Sequence, residues 1–170
     1  MLDEIPTGTP LGVRDRCLLT LWLFTGLRIA ETLALDWCDV SVAERAIRVR
    51  RAKGGRERVV HFGERLASEL TSWRAATWRA ADRDPAFVGR FGSRLDAKAV
   101  YAAVRRYGRY ERYQLTPHRL RHTHATELLR GGGISIRTVQ VRLGHRDLRS
   151  TMTYTRVFDS DEQHAAAVLG

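Results

Sequence analysis

Residues 17–27, CLLTLWLFTGL, form the longest apolar run in the chain and are bounded by Arg16 and Arg28. The run falls well short of the roughly 20 residues that a helix needs to cross a bilayer, so it belongs in a protein core. Together with Ile29 and Leu33, the spacing of Leu18, Leu19, Leu21, Trp22 and Leu23 predicts a buried helix over residues 13–34, interrupted or bent near Thr25-Gly26. A length of 170 residues suits one domain, and 44% hydrophobic residues suffice for its core. Cys17 and Cys38 are too few for a disulfide scaffold or a zinc cluster. With no signal-peptide pattern at Met1, a cytoplasmic setting is expected.

The segment AIRVRRAKGGRERVVHF alternates with a period of two on both sides of Gly54-Gly55, which predicts a β-hairpin with Lys53 at or beside its turn. Helices are expected at 63–80 and 96–110. Another opens at Thr116-Pro117, because threonine caps free amides and proline is tolerated in a first turn, and closes at Gly131-Gly132-Gly133. A short helix over 135–143 ends at Gly144, and a last one spans 151–158. Trp22, Trp37, Trp73 and Trp78 read as core. The fold class is mainly α with a small antiparallel β-sheet.

The formal charge is +10, and 27 of the 29 basic residues are arginine. Guanidinium forks suit phosphate oxygens, which makes a polyanion the leading class of partner. In LTPHRLRHTHATELL, His118, Arg121 and His122 lie three and four apart on one helix face, near free amides of the first turn. Alone this pattern equally describes a solvated basic face. A zinc reading is poorer, since no glutamate follows His118 as a metalloprotease helix would need. Arg28, three residues before Glu31, equally reads as a local ion-pair partner, and Tyr154 as a packing residue.

The segments TGLRIAETLAL, VRRAKGGRERVV, LTPHRLRHTHATELL and TVQVRLGHRDLRSTMTYTRV, in this order and spacing, resemble the signature boxes of the tyrosine recombinases, the phage-type and Xer-type integrases. The resemblance covers about residues 13–158. It implies the catalytic set Arg28, Lys53, His118, Arg121, His145 and Tyr154, with no metal and no cofactor. It also implies a catalytic domain over 13–170; residues 1–12, with two prolines and two glycines, read as a linker or N-terminal extension ahead of it. Arg28 comes too early to leave room for the N-terminal core-binding domain usual in the family, so weak, salt-sensitive DNA binding is expected. The implied partners are double-stranded DNA and further copies of the chain, a tetramer on paired sites in the family, with no membrane and no small-molecule substrate. Arg48, Arg50, Arg51, Arg56 and Arg58 on the hairpin are expected to contact phosphates.

The chemistry of this set is coherent. A phosphodiester under attack gains negative charge, which two arginine forks stabilise without a metal ion. A tyrosine, with a pKa near 10, needs a proton acceptor to attack at neutral pH, and His118 is the expected base. Lysine, unlike arginine, can release a proton to a leaving oxygen, the role expected of Lys53. Three other readings stand beside this one: a type IB topoisomerase-like nicking-resealing enzyme, a DNA-binding fragment without catalysis, and a metal-dependent nuclease. The last is disfavoured by the want of a carboxylate cluster.

Overall fold

A computed structural model describes residues 2–50, 57–77, 81–107, 115–131 and 134–144. Lys53, Arg51, Arg56, Trp78, His145, Tyr154 and the helix expected at 151–158 lie outside the described residues.

Helix α1 spans Pro10–Thr25 and is capped by Thr9, whose hydroxyl accepts from the Gly12 amide at 3.1 Å. Threonine followed by proline is the same start signal that opens α5, described below. Cys17, Leu18, Leu21 and Trp22 are completely buried, so the stretch of α1 after Arg16 is covered by neighbours over most of its surface. It packs mainly against α3 (Glu64–Ala76) and α5 (Pro117–Gly131). Where a linker was expected at 1–12, Leu2 and Ile5 are buried in the core. The first helix therefore begins three residues before Val13 and is braced by the segment ahead of it.

The interruption expected near Thr25-Gly26 is a left-handed cap. Gly26 has φ +64° and donates its amide to the Trp22 carbonyl at 3.0 Å. Helix α2 (Ile29–Leu33) follows with Arg28 at its N-cap, and is tied to α1 by the Trp22 indole donating to Thr32 at 2.9 Å.

Strands β1 (Val40–Ser41), β2 (Ala46–Val49) and β3 (Arg58–His61) form an antiparallel sheet in that order. The register pairs Ile47 with Val60, Arg48 with Val59 and Val49 with Arg58. Ile47, Val49 and Val60 are buried while Arg48 and Val59 are exposed, as a period of two demands. Helices α4 (Ala97–Tyr107), α5 and α6 (Ile136–Leu143) complete the described fold, which is mainly α with a small antiparallel sheet. Trp22, Trp37 and Trp73 lie in the core. Both cysteines are free, Cys17 buried and Cys38 exposed. No helix among the described residues is long and apolar enough to cross a membrane.

Candidate active site

The site is built around the C-terminal end of α6. A helix leaves its last carbonyls without intrahelical partners, at the negative end of its dipole. Gly144, at φ +65°, turns its amide back to the carbonyls of Gln140 and Val141. The next three carbonyls are taken by three arginines from three other elements. Arg58 Nε of β3 donates to the Arg142 carbonyl at 2.9 Å, Arg121 Nη2 of α5 to that of Leu143 at 2.8 Å, and Arg28 Nη2 at the N-cap of α2 to that of Gly144 at 3.0 Å. Arg121 also donates to the Gly26 carbonyl. Arg28 and Arg121, far apart in sequence, thus meet on adjacent peptide oxygens. His145 is the next residue in the chain.

Glu31 connects two of these arginines. Its Oε1 accepts from Arg28 Nη1 at 3.0 Å and Arg58 Nη1 at 2.9 Å. Its Oε2 accepts from the Arg28 amide at 2.8 Å and Arg58 Nη2 at 2.9 Å. Burial pushes the Glu31 carboxyl up, but the hydrogen bonds from Arg58 and the Arg28 amide and the charges of both guanidiniums outweigh it, so its pKa lies below the ordinary value. The local Arg28–Glu31 pair foreseen from sequence exists, and Arg28 reaches Gly144 as well. The Arg28 side chain keeps 45% of its surface exposed, while Arg121 is buried.

His118 stands exposed in the first turn of α5, where the Thr116 hydroxyl accepts from the Arg119 amide at 3.1 Å. Of the arginines expected on phosphates, Arg48 is exposed on the outer face of the sheet. Arg50 is half exposed but is held by Asp39 at 2.6 Å, Asp36 at 3.2 Å and Cys38 Sγ at 2.9 Å. Asp36 is further engaged by Arg94 at 2.5 Å, so this cluster of ligand-type groups is already neutralised by cations. Arg58 differs from the expected surface contact. Its side chain is only 12% exposed and faces inward, because it shares its parity with Val60.

Sequence reasoning singled out neither His124 nor Arg142. His124 is buried, its Nδ1 lies 2.9 Å from the Leu23 carbonyl and its Nε2 accepts from Arg142 Nε at 3.0 Å. A carbonyl only accepts, so Nδ1 carries the proton and the ring is neutral. Burial and the Arg142 charge lower the His124 pKa to about 4. An unfolded histidine titrates near 6.5. Between these values the unfolded chain binds the extra proton, and stability falls as pH is lowered. At pH 4.5 the loss is expected to be about 2 kcal/mol. Urea unfolding of the wild type and His124→Phe at pH 7 and 4.5 checks this, because the variant should lack that part of the pH dependence.

A family model, the phage integrase family, matches residues 1–161. Tyrosine recombinase XerC of Xylella fastidiosa (strain 9a5c) is 38% identical over 156 residues, covering 91% of this chain and 52% of the relative. XerC of Xanthomonas axonopodis pv. citri (strain 306) is 36% identical over 171 residues, covering 98% and 53%. The chain thus spans about half the length of the curated relatives it matches. Among solved structures, XerA recombinase superposes with a TM-score of 0.78 at 31% identity, over 91% of this chain and 57% of that one. The XerH site-specific recombinase bound to its palindromic difH substrate, a post-cleavage complex, superposes with a TM-score of 0.79 at 26% identity, over 99% and 49%. With the order of its motifs, its fold and these matches in agreement, the chain belongs to the phage integrase family of tyrosine recombinases.

Proposed function

We propose that the chain is the catalytic domain of a site-specific DNA recombinase that cleaves and rejoins strands through a 3′-phosphotyrosine intermediate. The observation that carries this reading is the meeting of Arg28 and Arg121 on the adjacent carbonyls of Gly144 and Leu143. Two guanidiniums held at fixed spacing suit the non-bridging oxygens of one phosphate, and preorganised donors are most effective where charge develops in the transition state. Arg28 and Arg121 clamp the scissile phosphate, and His145 adds a hydrogen bond. The Tyr154 oxygen attacks phosphorus while His118 takes the phenolic proton. The bond to the 5′-oxygen breaks, and Lys53 protonates the departing oxygen. The phosphotyrosyl link retains the energy of the lost phosphodiester, so a second 5′-hydroxyl can attack it and reseal the strand without ATP. The partner is double-stranded DNA, with copies of the chain assembling on paired sites. The recombinase names of its relatives favour strand exchange over nicking and resealing.

The test is a pool of nicked duplexes of randomised sequence, in which cleavage releases a short strand and traps the intermediate, run on a denaturing gel in the presence of chelator. A covalent protein–DNA band with the wild type and none with Tyr154→Phe is the expected result. A band that persists in Tyr154→Phe, or one that requires a divalent metal, overturns the reading.

Lys53 carries a separate prediction. Lys53→Arg keeps most DNA affinity but slows cleavage of ordinary DNA, by roughly the 100-fold or more associated with loss of a general acid. A 5′-thiol leaving group, which needs no proton, restores the rate. Equal rates for the two enzymes on ordinary DNA would reduce Lys53 to a charge.

A further inference from the structure

The Arg142 side chain is not among the groups assigned to the phosphate, yet its peptide carbonyl is the first of the three that hold the arginines. Its side chain reaches three other elements. Nη2 donates to the Phe24 carbonyl at the end of α1 at 3.0 Å and to the His61 carbonyl at the end of β3 at 2.7 Å, and Nε donates to the His124 ring of α5 at 3.0 Å. His124 is in turn fastened to α1 through the Leu23 carbonyl. A buried neutral imidazole accepting from a guanidinium is a demanding arrangement, since any residue lacking an acceptor at that place would strand the Arg142 Nε–H.

Packing alone does not secure this end of α6. Val139 and Leu143 form a small cluster with Ala125 of α5, flanked by Leu128, Leu129 and Ile134 and separate from the main core. That cluster ties α6 to α5. Toward α1, Leu143 lies over Gly26, close enough that a β-carbon there would sit 2.7 Å from Leu143 Cδ2. Among the described residues, further ties to α1 and β3 are hydrogen bonds: those of Arg142, the one from Arg58, and the Arg121 guanidinium, which bridges the carbonyls of Gly26 and Leu143.

We infer that Arg142 and His124 are a positioning pair for the reaction: by fixing the last turn of α6 against α1, β3 and α5, they set the spacing of Arg28 and Arg121 at the phosphate. The inference rests on the recombinase reading for its catalytic consequence, but its geometric content stands apart. A shift of the Leu143 and Gly144 carbonyls would carry with it the anchors of both arginines. A misplacement of about 1 Å in such a site lowers a rate by as much as 100-fold.

The first measurement needs no DNA. Arginine side-chain NMR of the chain, with Arg28 and Arg121 assigned by single substitution, reads the exchange of their guanidinium hydrogens with water. In His124→Phe and Arg142→Gln this exchange should quicken by about tenfold or more, while the circular dichroism and melting temperature show the fold retained. In single-turnover cleavage at saturating DNA, both variants should lose about tenfold or more in rate, with the Kd for DNA changed less than about twofold. Free guanidinium ion should partly restore Arg142→Ala. Unaltered guanidinium exchange in both variants overturns the inference. So does a joint fall of melting temperature, DNA affinity and rate that guanidinium leaves untouched, which would mark the pair as merely structural. If the wild type itself forms no covalent complex, the recombinase reading fails, while the exchange rates still decide whether the pair positions the arginines.

Discussion

Glu31→Ala is expected to lower the unfolding free energy by about 3 kcal/mol, the low end of the range for breaking a buried ion pair. Glu31 is buried and accepts four hydrogen bonds, two of them from Arg58, which has little access to water. Removing the carboxylate leaves the Arg58 guanidinium without its counter-charge. Arg28 loses less, because its side chain is 45% exposed and can be rehydrated, which is why the upper end of the range is not expected. Glu31→Gln keeps the shape and part of the hydrogen bonding, and should fall between alanine and wild type. Urea unfolding of the three proteins at neutral pH checks the order. Because the folded Glu31 carboxyl titrates below its ordinary value, its stabilisation is fully present above the unfolded pKa, near 4.5, and is lost as pH falls through the folded one. A Glu31→Ala protein as stable as the wild type would show that the carboxylate's desolvation had cancelled its bonds.

Gly26→Ala should destabilise by about 3 kcal/mol for two separable reasons. At φ +64° an L side chain is strained by about 1 kcal/mol, and the added β-carbon would stand 2.7 Å from both His124 Cδ2 and Leu143 Cδ2. Both neighbours are buried, so they cannot swing into solvent, and overpacking of this kind costs about 1 to 3 kcal/mol. Gly8, where a β-carbon would meet nothing within 4 Å, supplies the control. Gly8→Ala should change stability by less than about 1 kcal/mol. The comparison is made by urea unfolding, and a loss at Gly26 no larger than that at Gly8 would refute the packing described at the end of α1.

The local elements were legible because their signals are local. The alternation flanking Gly54-Gly55 gave the hairpin, and Thr116-Pro117 gave the start of α5. The identical Thr9-Pro10 signal was present too, but the prolines and glycines around it read as linker, and nothing in the sequence shows that Leu2 and Ile5 have a core to enter. The inward face of Arg58 follows from its parity with Val60, but a reading weighted toward charge takes every hairpin arginine for a surface contact. The arginine template at α6 was not legible at all. Its acceptors are main-chain carbonyls, which every residue possesses, so no residue identity advertises that Arg58, Arg121 and Arg28 end on oxygens 142 to 144. The His124–Arg142 contact is hidden for a related reason, as two residues 18 apart on different helices share no periodicity.

The pairing of Val49 with Arg58 has a consequence for reach. Arg58 is moored to Glu31 and to α6, and Arg50 to Asp39, so the described residues on both sides of 51–56 are held in place. Lys53 is four residues from Val49, and a fully extended chain of that length spans roughly 14 Å. The oxygen that Lys53 is proposed to protonate must therefore lie within a sphere of that radius, plus the length of the lysine side chain, centred on the end of the sheet. Inserting a residue on either side of Lys53 would change how far its ammonium can reach from the end of the sheet. Under the proposed mechanism the number of residues between the two strands, as much as the lysine, limits which leaving oxygen in a bound duplex can receive a proton.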